Sequence, residues 1–150
     1  MGAVDNFIHL FAPLTANCRD FRRKWDESKG LSPDGAIGRW SGEWISAATG
    51  HHGRLLCVIT PLAPASWRMF FRAEYAGVFR ACYSTDVTVD KKEDSWIFSG
   101  VSDLGRLAGG KYRYSGRATL ELLVCSYKSS RDHGEFKLRP EKKDIRNAVP

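Results

Sequence analysis

The feature that most constrains this chain is a two-residue alternation that starts at Trp67 and recurs through the rest of the sequence. Trp67, Met69, Phe71, Ala73 and Tyr75 fall on one side of an extended backbone. Arg68, Phe70, Arg72 and Glu74 fall on the other. Successive side chains of a strand point to opposite faces, so this pattern predicts a strand with one buried face. Similar stretches run over Ile37–Ser46, Arg54–Thr60, Val78–Val89, Ser95–Ser102 and Glu135–Arg139, and turn-forming residues punctuate them. From Lys111 one pattern continues for about 16 residues. It puts Tyr112, Tyr114, Gly116, Ala118, Leu120 and Leu122 on one face, with a bulge or bend expected near Gly116. This gives about seven clear strand segments, and dividing the long ones yields eight or more. No helical period separates them, so neighbours pair antiparallel. A sheet this size with one apolar face must be covered or must close on itself. Closure also removes exposed edges. The expected fold is therefore all-β, an up-and-down antiparallel barrel of about eight strands.

Ahead of the strands the period changes. Phe7, Phe11, Leu14, Cys18, Phe21 and Trp25 recur at steps of four and three, which is one face of an α-helix. Pro13 fits a first turn but not an interior, so the helix is expected over 13–28. Arg19, Arg22, Arg23 and Lys24 fall off the apolar face. Packing that face against one end of the barrel is preferred to docking on an anionic membrane, because an exposed Phe21–Trp25 face invites aggregation. The expected division is 1–35 as a helical segment packed on the barrel, 36–140 as the barrel and 141–150 as a flexible tail.

The chain of 150 residues suits one core, and five Trp, five Tyr and eight Phe give it ample apolar material. The net charge is +6, but the basic residues are dispersed and no long Lys/Arg run occurs. The outward stripe of Arg68, Arg72, Arg80, Lys111, Arg113 and Arg117 lacks interleaved exposed aromatics, so nucleic-acid binding is not expected. Cys18, Cys57, Cys82 and Cys125 contain no CxxC pair, which excludes a zinc knuckle. Each lies in an apolar stretch, where a free Cys packs as a small hydrophobe, although an even count also permits disulfides. The N-terminus reads as no signal peptide and no run is long enough to span a membrane, which leads to an expected cytoplasmic location with reduced thiols.

Gly38-Arg39-Trp40, at the start of the first strand and preceded by a helix, resembles the Gly-x-Trp signature of the calycins: lipocalins, fatty-acid-binding proteins and avidins. The resemblance covers roughly residues 36–140 and implies a Trp at the closed end of a barrel, with a basic residue of the last strand over it. Arg139 is the matching candidate. The sequence is also similar to uncharacterised bacterial barrel proteins that begin Gly-x-Trp-x-Gly-x-Trp, here Gly38 to Trp44, and carry a Gly-rich loop, here Asp103 to Gly110. The Thr-Asp-Tyr turn motif of lipocalins is absent, since Val87 follows Thr85-Asp86.

Inside such a barrel the expected ligand-binding residues are Trp44, Met69, Phe71, Tyr75, Phe79, Tyr83, Tyr112 and Tyr114. Tyrosine buries an apolar ring but needs a partner for its hydroxyl, and a bound molecule can supply one. Arg54 and Arg139 are candidates to place a polar group. His51 and His52 sit in a turn and point opposite ways, so solvated histidines are preferred to a metal or haem pair. Asp103 reads as a cap of the Gly-rich loop, which lacks the Lys-Ser/Thr of a P-loop. No nucleophile has a visible base partner. The reading is thus a barrel that binds a small, mostly apolar ligand, with no cofactor and no metal. The alternatives are an isomerase- or hydratase-like enzyme in the same cavity, or an interaction domain with a filled core.

Overall fold

The computed structural model describes residues 18–29, 35–104 and 110–141. Eight strands form one closed antiparallel barrel in chain order: β1 (Gly38–Ser46), β2 (His52–Ala63), β3 (Ser66–Tyr75), β4 (Phe79–Lys92), β5 (Ser95–Asp103), β6 (Lys111–Ala118), β7 (Leu123–Lys128) and β8 (His133–Pro140). Each strand pairs with its sequence neighbour, and β8 returns to β1 with Trp44 opposite Phe136. A short helix, α1 (Cys18–Glu27), precedes them.

The alternation seen in sequence is the inside–outside alternation of the barrel. Trp67, Met69, Phe71 and Ala73 of β3 belong to the interior cluster, together with Leu55, Cys57 and Ile59 of β2. The long pattern from Lys111 is not one strand. It breaks after Ala118, where the Thr119 hydroxyl accepts hydrogen bonds from the backbone N–H groups of Glu121 and Leu122. A Thr side chain that mimics a turn in this way competes with the ladder and ends it. Leu120, expected on the inner face, is 63% exposed in this turn. The turn shifts the phase, so Leu123, Cys125 and Tyr127 face inward in β7.

Closure requires close approach of neighbouring backbones. At Gly42 a side chain would collide with the carbonyl of Lys137, and at Gly53 with that of Glu74. Both are inward positions on strands that turn sharply toward the next, where only hydrogen leaves room for the neighbouring carbonyl.

The expected place of the helix is corrected. It lies against the outer wall and closes neither end. Phe21 packs with Leu56, Val58 and Cys82, which are outward residues of β2 and β4, and Phe70 of β3 adds to the patch. Arg39, the middle residue of Gly38-Arg39-Trp40, bonds the Trp25 carbonyl and its guanidinium stacks on the Trp25 ring at 4.6 Å. A Cys18–Cys82 disulfide ties the other end of α1 to β4. That bridge also overturns the expectation of four reduced thiols; Cys57 and Cys125 are free and buried inside. The end near Trp40 is covered instead by the chain entering β1. Ala36 is buried in the core, and the Trp40 indole donates to its carbonyl at 2.9 Å. Arg139 does not lie over Trp40: it is exposed, on the outward register of β8 opposite Ser41. Phe7, Phe11 and Leu14, and the tail from 142, fall outside the described residues.

Thiol titration in guanidinium should find two reactive cysteines without reductant and four with it. The bridge joins residues separated by 64 positions, so converting both Cys18 and Cys82 to Ser should cost about 4 kcal/mol in urea unfolding. Gly42→Ala should cost about 3 kcal/mol through overpacking. Gly50→Ala meets no atom within 4 Å at a φ of 77° and should cost only the left-handed backbone term, about 1 kcal/mol.

Candidate functional site

The interior divides into two unlike halves. At the end where Trp40 lies, Trp67 packs on Trp96 and Phe98 at 6.3 and 5.9 Å. Ile59, Met69, Ala118, Leu123 and Leu138 fill the space between, each at most 1% exposed. This half is filled by side chains.

The other half is lined with tyrosines. All five tyrosines of the chain, Tyr75, Tyr83, Tyr112, Tyr114 and Tyr127, occupy inward positions. Their rings join a continuous aromatic lining. Tyr114 stacks on Tyr112 and Tyr127 stacks on Phe136. Phe136 meets Phe71 edge-on at 5.4 Å, and Phe71 stacks on Tyr83 at 5.0 Å. At the rim Tyr75 stacks on Phe79 and lies against Trp44. Of these, Tyr75, Phe79, Tyr83 and Tyr127 remain only half-buried although they point inward, which marks this half as the open one.

The eight residues predicted from sequence thus share one interior surface. Met69 and Phe71 sit toward the packed half, while Trp44, Tyr75, Phe79, Tyr83, Tyr112 and Tyr114 border the open half. Tyr127, Phe136, Cys57, Cys125 and Thr85 also line it but were not anticipated. Tyr127 and Cys125 were missed because the turn at Thr119–Leu122 shifts the inward phase, and Thr119, directly after the inward Ala118, was the available signal. Arg54 is exposed and pairs across the outer face with Glu43, so it does not enter the interior.

Polar partners gather at the open rim. The Tyr75 hydroxyl and His51 Nδ1 are 2.8 Å apart, and the Trp44 indole donates to the Glu74 carbonyl at 3.1 Å. Ser102 donates to the Tyr114 hydroxyl at 3.2 Å. The Asp132 carboxylate accepts from Ser46 at 2.5 Å and from the Tyr127 hydroxyl at 3.4 Å. The Thr85 hydroxyl is buried inside with no partner among the described residues. His52 and His133 are exposed and His51 is half-buried, while His9 lies outside the described residues. Among the described residues no group of three His, Cys, Asp or Glu could hold a metal ion. Asp103 ends β5, and residues 105–109 of the Gly-rich loop lie outside the described residues.

Burial governs the ionisation of these groups. It raises the hydroxyl of Tyr83 well above the ordinary tyrosine value, with Tyr114 and Tyr127 adding to the effect. It likewise raises Tyr112, Tyr114 and Tyr127, the last also through Asp132. Burial pushes the Cys125 thiol up to about 12 and raises Cys57 well above its usual range, so neither is a ready nucleophile. On the outer wall Arg68 bonds Asp86 through two contacts of 2.7 and 3.0 Å and holds its carboxyl below the usual range. This exposed pair borders a surface groove of about 590 Å³ over the β4–β5 junction, lined by Ser66, Val101 and Arg113 among others.

No known protein family and no curated protein matches the chain. Among solved structures, it is similar to a redesigned β-barrel, mFAP1, bound to DFHBI. That match has a TM-score of 0.51 at 11% identity and covers 70% of this chain and 94% of the other. A point mutant of the fluorescent protein UnaG matches at a TM-score of 0.39 and 7% identity, over 72% of this chain and 97% of its own. The likeness to the redesigned barrel extends to the fold.

The folded chain retains tyrosine protons that the unfolded chain releases near pH 10, the ordinary value. The stability these hydroxyls contribute is therefore complete below that pH and lost as pH rises above it. In an alkaline titration followed at the tyrosinate absorbance, Tyr83, Tyr112, Tyr114 and Tyr127 should ionise together with loss of near-ultraviolet circular dichroism. Ionisation of four or more tyrosines near pH 10 with the fold intact would show that their hydroxyls face water.

Proposed function

We propose that this protein binds one small, mostly apolar molecule in the tyrosine-lined half of the barrel. Access is at the rim formed by Trp44, His51, Tyr75 and Asp132. The observation that carries the reading is the concentration of every tyrosine on the inner surface, with several left half-buried opposite a packed, tryptophan-rich end. A core meant only for packing gains nothing from hydroxyls that then require partners, and one interior hydroxyl, that of Thr85, has none among the described residues. An eight-stranded barrel is wide enough for one such molecule. The similar redesigned barrel is bound to DFHBI, so this architecture accommodates a small ligand.

The proposed ligand-contacting set is Trp44, Phe71, Tyr75, Phe79, Tyr83, Tyr112 and Tyr114, with Tyr127 and Phe136 added; Met69, expected in this set, packs with Ile59 in the other half. Residues 36–140 form the functional unit, and we place it among divergent calycins on the Gly38-x-Trp40 start and the position of Trp40 in the packed end. Binding is favoured over catalysis because the interior thiols are held protonated by burial. A disulfide between Cys18 and Cys82 favours an oxidising compartment over the cytoplasm. Among the described residues no helix is long and apolar enough to cross a membrane.

Titration with the uncharged fluorophore N-phenyl-1-naphthylamine should give saturable, one-to-one binding at micromolar concentration, roughly −8 kcal/mol. Thr85→Phe, which fills the interior beside Tyr83, should weaken it by about tenfold or more while preserving the circular dichroism. Absence of saturable binding, or binding indifferent to this variant, contradicts the reading.

A further inference from the structure

The same alternation that sorts apolar from polar side chains also sorts charge. Every Lys and Arg on the described strands takes an outward position except Lys91. That residue is exposed at the packed end, its ammonium 5.6 Å from the Trp96 ring centre. Arg39 is spent on α1, Arg68 on Asp86 and Arg72 on Glu74. Among the described residues the strands therefore point no cation into the open half; the nearest is Arg131, exposed in the β7–β8 turn beside Asp132 and close enough to act on the Tyr112 hydroxyl. The open half does hold a carboxylate. Asp132 lies in the β7–β8 turn, and both of its side-chain partners, Ser46 and Tyr127, point inward. They draw the carboxylate over the rim. The Tyr127 hydroxyl reaches this place across Gly134, where any side chain would meet it at 2.7 Å. Each Asp132 oxygen accepts one of these bonds and keeps capacity for another.

A carboxylate ligand entering this space would lose its hydration with only the solvent-exposed Arg131 near it, and it would meet Asp132 as a like charge. A flat base is received on different terms. Its ring lies against the Phe71, Tyr83, Tyr112, Tyr127 and Phe136 faces, which attract positive charge. Its N–H groups reach a carboxylate, and such charge-assisted bonds are the strong ones. We propose that the barrel selects planar aromatic bases, such as amidines and N–H-bearing heterocycles, over carboxylic acids, with Asp132 as the anchoring group. The inference rests on the interior-ligand reading above and adds the chemical class of the ligand.

Three probes of one shape separate the possibilities: naphthalene-2-carboxamidine (cationic), 2-naphthamide (neutral) and 2-naphthoate (anionic). Each competes against N-phenyl-1-naphthylamine at pH 7. The expected order is amidine, then amide, then naphthoate, with about tenfold or more between the extremes. Asp132→Asn keeps an acceptor for Ser46 while removing the charge. It should bring the amidine down to the affinity of the amide and leave the amide within about twofold. The inference is overturned if naphthoate binds as tightly as the amidine, if none of the three displaces the fluorophore, or if Asp132→Asn weakens amidine and amide alike, as a structural role would. Ser46→Ala, which keeps the Asp132 charge and its Tyr127 bond, should preserve the order of amidine over amide; loss of that order in this variant with an unchanged melting temperature also counts against the proposal. Failure of the fluorophore itself to bind removes the interior-ligand reading, and this inference with it.

Discussion

The structure depends on how closely adjacent backbones can approach at the corners of the sheet. At Gly42 and Gly53 the carbonyls of Lys137 and Glu74 occupy the space that a side chain would need. These contacts join β1 to β8 and β2 to β3, so they flank the β1–β2 hairpin on both sides, next to the seam where the barrel closes. Once the sheet is closed, every second residue must face a fixed interior, and no edge remains exposed. The division of that interior into a packed half and a tyrosine-lined half then follows from which residues occupy the inward positions.

Much of this was legible in the sequence, because a period of two is imposed by backbone geometry and survives any tertiary context. The alternation from Trp67 to Tyr75 assigned the inward face of β3 correctly, and Tyr112 and Tyr114 were assigned in the same way. The failure at Leu120 has a local cause. Thr119 has ordinary strand propensity, and its role as a turn former depends on a hydroxyl bonding to backbone N–H groups two and three residues ahead. The placement of α1 was hidden for a different reason. Its apolar stripe of Cys18, Phe21 and Trp25 specifies that something must be covered, but not what. The answer lies in Leu56, Val58 and Phe70, three apolar residues at outward positions of β2 and β3. Leu56 and Val58 sit within the run Leu55–Ile59, which is apolar on both faces. Such a run signals a strand covered on both sides. Arg39 and Cys82 complete the attachment at the two ends of the helix.

The barrel that the resemblance to calycins implied is present, and Trp40 lies in its packed end. The resemblance did not hold for Arg139. Trp40 satisfies its indole through the Ala36 carbonyl instead, so the polar need that a basic residue was expected to meet is filled by the chain entering β1. The same outward placement of cations leaves the open half lined by aromatic faces, hydroxyls and one carboxylate. The proposed preference for bases over acids follows from that lining, because charge would then discriminate before shape.

The central claim is that the tyrosine-lined half of the barrel is a binding space and the tryptophan-rich half is packing. A high-resolution crystal structure tests it most directly. The account predicts ordered water or a bound molecule in contact with the hydroxyls of Tyr83, Tyr114 and Tyr127, with Thr85 among its partners and nothing between Trp40, Trp67 and Leu138. An open half filled by side chains, with the five tyrosine hydroxyls bonded only to one another and to the protein, would contradict it.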